Sequence, residues 1–109
     1  MLALLLMPFF VFGAEGFEVY KRYCSSCHSL YPPPLKAPPM SMVAYRVKLF
    51  YPKREEFVRF VKDYITKPSP DKGVCMPMTY MVFGVMPPVG RSMSEKEKER
   101  VAEWLFETF

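Results

Sequence analysis

Residues 24–28 read Cys-Ser-Ser-Cys-His, and His28 is the only histidine in a chain of 109 residues. Two cysteines stand three positions apart, and the imidazole follows them directly. Thiolates and imidazoles are the usual nucleophiles and soft metal ligands of proteins. The stretch therefore marks Cys24, Cys27 and His28 as the chemical centre of the chain, and the remaining sequence must indicate which chemistry they serve.

The composition is that of one folded domain. A length of 109 residues suits a single domain, and half of the residues are hydrophobic with 17% aromatic, which excludes a disordered chain. The formal net charge is +4, but the basic residues form no stripe, so nothing indicates nucleic-acid binding. A chain this short buries a modest share of its surface and is often stabilised by a disulfide, metal or cofactor.

The first fourteen residues, MLALLLMPFFVFGA, carry no charge. They are fewer than the roughly 20 apolar residues that span a bilayer, and they resemble the apolar core of a secretion signal that ends at Gly13–Ala14. We expect a signal peptide over residues 1–14 and a single domain over residues 15–109. A retained membrane anchor is the alternative interpretation of the same segment.

The apolar pattern predicts an all-α domain with long irregular connections and no strand. Ser94 and Glu97 form a capping-box pattern at the start of the last helix. Five prolines in residues 31–40 predict an extended, semi-rigid loop directly after the cysteine motif. Helices this short are marginal alone, and a large apolar cofactor at the centre would stabilise them. The predicted helices are residues 15–23, 42–51, 53–66 and one from Ser94 onward, with one or two further turns in residues 74–84.

Four chemistries can use Cys24, Cys27 and His28. A zinc site would need Cys75 as a fourth ligand and two adjacent ligands, an awkward spacing. A thioredoxin-like dithiol expects a βαβ context, and a plain disulfide leaves the histidine unexplained. Covalent attachment of haem uses every residue, because each cysteine forms a thioether with one vinyl group and the histidine becomes an iron ligand. Export agrees with this interpretation, since attachment takes place outside the cytoplasm.

The chain resembles the small class I c-type cytochromes over nearly all of residues 15–109. The resemblance implies a cytochrome c-like fold in which short helices and long loops wrap around one covalently attached haem. It also implies that the first and last helices cross, with Tyr20 near Trp104 or Leu105. The middle segment, residues 29–74, departs from familiar members and resembles a less familiar bacterial branch. The matching stretches are YKRYCSSCH at 20–28, APPM at 37–40, FGVMPP at 83–88 and SEKEKERVAEWLFETF at 94–109.

Carried over onto matching positions, the resemblance implies thioethers at Cys24 and Cys27, His28 as the proximal iron ligand and Met86 as the distal ligand. Met86 precedes two prolines in an extended loop, which would hold its thioether rigidly. Most of the nine methionines are expected to fill the core. Cys75 is left over, either as a free or intermolecularly linked thiol or as a small buried residue near the haem. The rivals to Met86 are Met40, Met42, Met76, Met78, Met81 and Met93.

Closed axial positions favour electron transfer over catalysis, because such an iron has little room for a substrate. The sequence therefore predicts a periplasmic one-electron carrier, or a small haem subunit of a redox complex, and not an enzyme. The alternative is a haem enzyme or gas-binding sensor with a weak or displaced distal methionine. The expected partners are redox proteins, acidic ones if Lys21, Arg22 and Lys36 form a basic rim, with membrane contact only if the N-terminal segment is retained.

Overall fold

The computed structural model describes residues 2–109, with side chains described from Gly13 onward. The described residues contain no β-strand, so the all-α prediction is confirmed. A short 3-10 helix, Val89–Ser92, lies between the last two α-helices. The α-helices are α1 (Leu2–Tyr23), α2 (Met40–Phe50), α3 (Arg54–Thr66), α4 (Pro77–Phe83) and α5 (Glu95–Thr108).

Helix α5 begins as the sequence predicts. The Ser94 hydroxyl oxygen accepts from the Glu97 amide at 3.0 Å, and the Glu97 carboxylate accepts from the Ser94 amide at 2.9 Å. This reciprocal pair satisfies two of the amides that the first turn of a helix leaves without an intrahelical partner. Helix α3 also matches its prediction, with Lys53 as its N-cap and Thr66 as its last residue.

Helix α1 ends at Tyr23 as expected but begins at Leu2 rather than Glu15. Composition separated residues 1–14 from the domain, whereas helix formation depends on backbone propensity, and the Leu, Met and Ala of this segment are strong helix formers. No helix within the described residues is long and apolar enough to cross a membrane. The side chains of residues 1–12 lie outside the described part, and removal of residues 1–14 as a signal stays a prediction.

The crossing of α1 and α5 forms one half of the core. The Tyr20 and Trp104 rings lie with centroids 5.1 Å apart, which confirms the expected contact. Gly16 permits the close approach, since a Cβ on Gly16 would overlap the Trp104 side chain and lie 2.7 Å from the Arg100 carbonyl oxygen. Any other residue at this position would push the two helices apart.

Helices α2 and α3 form the other half of the core against α5. The Phe57 ring of α3 meets the Phe106 ring edge-on, with centroids 5.2 Å apart. The buried residues of both helices recur at helical spacing, which is the pattern of an amphipathic face. Helix α5 therefore lies between α1 and the α2–α3 pair. The buried residues are Met40, Ala44 and Val47 on α2, and Phe57, Val58 and Val61 on α3.

We expect Trp104→Ala to reduce the free energy of unfolding by about 3–5 kcal/mol, the usual cost of removing a large core aromatic. The Trp104 side chain is buried at the helix crossing and touches the Tyr20 and Phe17 rings. Urea denaturation of the haem-loaded protein measures the loss, and Trp104→Phe, which keeps a ring at the crossing, should lose less. A loss below about 1 kcal/mol for Trp104→Ala would contradict the core assignment.

Candidate haem-binding site

The cysteine motif forms a single tight turn at the end of α1. The amides of Cys24 and Ser25 both donate to the Tyr20 carbonyl, at 2.9 and 3.0 Å. The amides of Cys27 and His28 both donate to the Cys24 carbonyl, at 3.1 and 2.9 Å. The turn holds Cys24, Cys27 and His28 within five consecutive residues, and all three side chains are half-buried.

The His28 ring is oriented by a backbone carbonyl. Its Nδ1 lies 2.6 Å from the carbonyl oxygen of Pro38. A carbonyl only accepts hydrogen bonds, so Nδ1 carries the proton and Nε2 presents a lone pair. Burial lowers the pKa of His28, and the hydrogen bond to Pro38 opposes that shift to a lesser extent. At neutral pH the ring is thus mostly a neutral imidazole with its proton on Nδ1, the form that binds a metal through Nε2.

The proline-rich loop folds back over the cysteine turn. Because prolines lack an N–H, the loop has few donors, and two of them, the amides of Lys36 and Ala37, bond to the Cys27 carbonyl at 3.1 and 3.0 Å. On the other side, the Tyr20 hydroxyl donates to the His28 carbonyl at 2.7 Å. The turn is therefore held between α1 and the loop. The sequence does not reveal the role of the Pro38 carbonyl, because a main-chain acceptor leaves no side-chain signal.

The thiols of Cys24 and Cys27 are free rather than joined in a disulfide. Burial and the neighbouring Cys27 raise the pKa of Cys24 to about 11, so it stays a neutral thiol at neutral pH in this fold. Cys75 lies elsewhere, beside Tyr80 and Arg46. Among the described side chains, no three His, Cys, Asp or Glu residues group as metal ligands.

The exposed apolar residues of the chain fit a large apolar cofactor. A small domain rarely leaves this many large apolar side chains in solvent, and such a surface usually meets a ligand or partner. The Arg46 Nε donates to the Val74 carbonyl at 3.0 Å, which joins α2 to the segment that leads into α4. Both helices expose such residues, namely Met42, Tyr45, Leu49 and Phe50 on α2 and Met76, Met78, Met81, Val82 and Val85 on or beside α4.

The methionines fall into three groups by exposure. Met40 and Met93 are buried within the hydrophobic core. Met86 is the half-buried one among the methionines whose side chains are described. Two residues before it, Gly84 adopts φ 77° and ψ −177°, a conformation open essentially to glycine alone, which turns the chain after α4. The exposed methionines are Met42, Met76, Met78 and Met81.

Ion pairs neutralise part of the expected basic rim. Lys21 pairs with Glu18 at 2.9 Å, one helical turn away on α1, and Arg22 pairs with Glu97 of α5 at 3.1 Å. The i, i+3 spacing of Glu18 and Lys21 brings the two side chains to the same side of α1. Lys36 remains an exposed basic residue in the loop beside the cysteine turn.

The helical fold and the Cys-x-x-Cys-His turn with its anchored histidine together define a small c-type cytochrome domain, a haem-binding protein of electron transfer. Residues 12–105 match the family described as cytochrome c oxidase, cbb3-type, subunit III, and the chain belongs to this family. A protein of Aquifex aeolicus (strain VF5), named only as an uncharacterized protein, is 49% identical over 112 residues, covering 87% of this chain and 74% of its own length. No solved structure gives a significant match.

We expect Tyr20→Phe to reduce the free energy of unfolding by about 1 kcal/mol, because it leaves the His28 carbonyl without the hydroxyl donor. The ring itself keeps its contact with Trp104. The measurement is urea denaturation of the haem-loaded protein. Tyr23→Phe is the matched control, since the Tyr23 hydroxyl makes only long contacts of 3.3 Å to Glu97, away from the turn. An equal loss in both variants would contradict a specific role for the Tyr20 hydroxyl.

Proposed function

We propose that the chain carries one haem, covalently bound through Cys24 and Cys27, with His28 as proximal and Met86 as distal iron ligand. It acts as a one-electron carrier or as a small haem subunit of a redox complex. The observation that carries this proposal is the 2.6 Å contact between His28 Nδ1 and the Pro38 carbonyl. It presents a neutral Nε2 from the same turn as both thiols, as a haem attached there requires.

Each part of the chain has a defined task in this proposal. The Cys24–His28 turn fixes the attachment points and the proximal nitrogen. The apolar residues of α2 and α4 shield the haem from water, and a less polar environment is one of the factors that tune a haem potential. When bound, the haem supplies the one-electron chemistry, and the protein positions it and sets its potential.

The alternative, a haem enzyme or gas-binding sensor, would need an open distal position with polar groups. The only histidine lies in the cysteine turn. The segment around Met86, FGVMPPVG, contains no side chain with a hydrogen-bond donor. Electron transfer is therefore the better supported function for these residues.

We expect mass spectrometry under denaturing conditions to find one haem on the mature protein, produced with a haem-attachment system. Cys24→Ala/Cys27→Ala should retain none, because both thioether sites are lost. Cys75→Ser, which removes the remaining thiol, is the matched control and should keep the haem. Extraction of the haem from the unaltered protein by acid acetone would contradict covalent attachment.

We expect Met86→Ala to abolish the far-red charge-transfer band of methionine-ligated ferric haem and to lower the reduction potential, with haem attachment intact. The methionine sulfur raises the reduction potential of a His/Met haem, so its removal should lower the potential. Met78→Ala and Met81→Ala are the controls, as both residues are exposed at 70% and 84%. If one of these variants loses the band and Met86→Ala keeps it, the distal ligand is misassigned.

The proposed location is the periplasm, and the proposed partners are redox proteins, acidic ones if charge steers their approach. With Lys21 and Arg22 paired, Lys36 is the basic residue on which steering chiefly depends. We expect oxidation by ferricyanide, an anion, to slow as ionic strength rises and to slow further in Lys36→Glu, because complementary charge acts on association rate. Lys67→Glu, the same charge change at the end of α3, is the control, and an equal effect of both variants would contradict a local role.

A further inference from the structure

The last turn of α3 contacts the chain before Met86. The hydroxyl groups of Tyr64 on α3 and Tyr80 on α4 both lie close to Gly73. A Cβ added at Gly73 would overlap the Tyr80 hydroxyl and lie 3.3 Å from the Tyr64 hydroxyl. The two side chains are hydrogen-bonded, and burial together with this bond raises the pKa of Tyr64. None of the residues of α4, all of which the structure describes, is buried. The position of α4 therefore depends on Tyr80 more than on helix packing.

The same turn of α3 contacts the chain after Met86. Gly90 is buried in the 3-10 helix, and a Cβ on it would lie 2.8 Å from the Thr66 hydroxyl and 2.9 Å from the Ile65 carbonyl carbon. The Thr66 hydroxyl is itself fixed, because it donates to the Lys62 carbonyl at 2.8 Å and accepts from Lys98 at 3.1 Å. A side chain at Gly90 would thus clash with the backbone of Ile65 and with a Thr66 hydroxyl that two hydrogen bonds hold in place.

Three consecutive residues, Tyr64–Thr66, therefore hold both ends of the segment that carries Met86. Between α4 and the 3-10 helix, residues 84–88 form no regular structure, and Pro87 and Pro88 have no N–H to donate. A ligand whose flanking chain is already fixed loses less conformational entropy when it binds, so it binds more firmly. Looser anchors would leave the methionine in place but easier to displace.

We propose that the last turn of α3 is the positioning element for Met86, acting through Tyr80 on one side and Gly90 on the other. This proposal rests on the proposed function, in which Met86 is the distal iron ligand. In this assignment Tyr64–Thr66 acts through Tyr80 and Gly90 and not as a ligand of the iron. Its effect is on how firmly the methionine competes with other ligands.

The test is displacement of the methionine by added imidazole in the haem-loaded ferric protein, followed by loss of the far-red band. We expect Gly90→Ala and Tyr64→Phe each to raise the affinity for imidazole by about tenfold, which corresponds to about 1.4 kcal/mol. Tyr64→Phe is the milder change, and it provides the test by itself if Gly90→Ala does not fold. Haem attachment, measured by mass, should be unchanged in both.

Two matched controls separate positioning from general destabilisation. Gly16→Ala is the same substitution at the α1–α5 crossing, where its Cβ would also press on backbone. Tyr51→Phe removes a hydroxyl from the same aromatic column, since Tyr51 stacks on Phe60 at 4.8 Å and Phe60 on Tyr64 at 5.7 Å. Tyr51→Phe should leave the imidazole affinity unchanged, and Gly16→Ala should change it less than Gly90→Ala does at a comparable loss of the free energy of unfolding.

The outcomes are distinguishable. A rise in imidazole affinity that is larger in Gly90→Ala and Tyr64→Phe than in either control supports the proposal. Equal affinities in all four variants, or a change that follows global stability, overturn it while the ligand assignment stands. Persistence of the far-red band in Met86→Ala shows that the proposed distal ligand is wrong, and the positioning role then falls with it.

Discussion

Tyr20 joins the helix crossing to the cysteine turn through a single side chain. Its ring lies 5.1 Å from the Trp104 ring, and its hydroxyl donates to the His28 carbonyl at 2.7 Å. Its carbonyl accepts the first two amides of the turn. The orientation of His28, the proposed proximal ligand, is thus coupled to the packing of α1 on α5, and the absence of a side chain at Gly16 permits that packing. A displaced α1 would carry the cysteine turn with it.

Helix α5 links the two sides of the proposed haem site. It packs against α1, whose last residue precedes the cysteine turn, and against α3, whose last turn contacts the segment that carries Met86. Lys98 of α5 reinforces the second link through its bond to Thr66. Because a protein interior is close-packed and transmits displacement, a shift of α5 would reach both proposed axial ligands.

The sequence predicted the features that local chemistry determines. The CSSCH turn, the capping box at Ser94 and the apolar face of α3 each follow from short-range spacing, and all appear in the structure. It could not predict the Pro38 acceptor or the contact of Gly90 with Thr66, since these depend on where distant backbone segments meet. The predicted start of α1 was wrong for a different reason. The composition changes near residue 14, but the helix propensity of the backbone does not.

The distribution of charge over the surface gives an independent indication of where the cofactor lies. The outward faces of α3 and α5 carry ion pairs, such as Arg54 with Glu103 at 3.3 Å and Lys62 with Glu99 at 3.0 Å. The outward face of α2 instead carries large apolar residues, and the exposed residues of α4 are mostly apolar as well. If the outward faces of all four helices contacted only water, all four faces would be polar, because exposed helix faces normally are. The difference agrees with the proposed haem site, in which the apolar cofactor lies on the side of α2 and α4, where the Met86 segment begins.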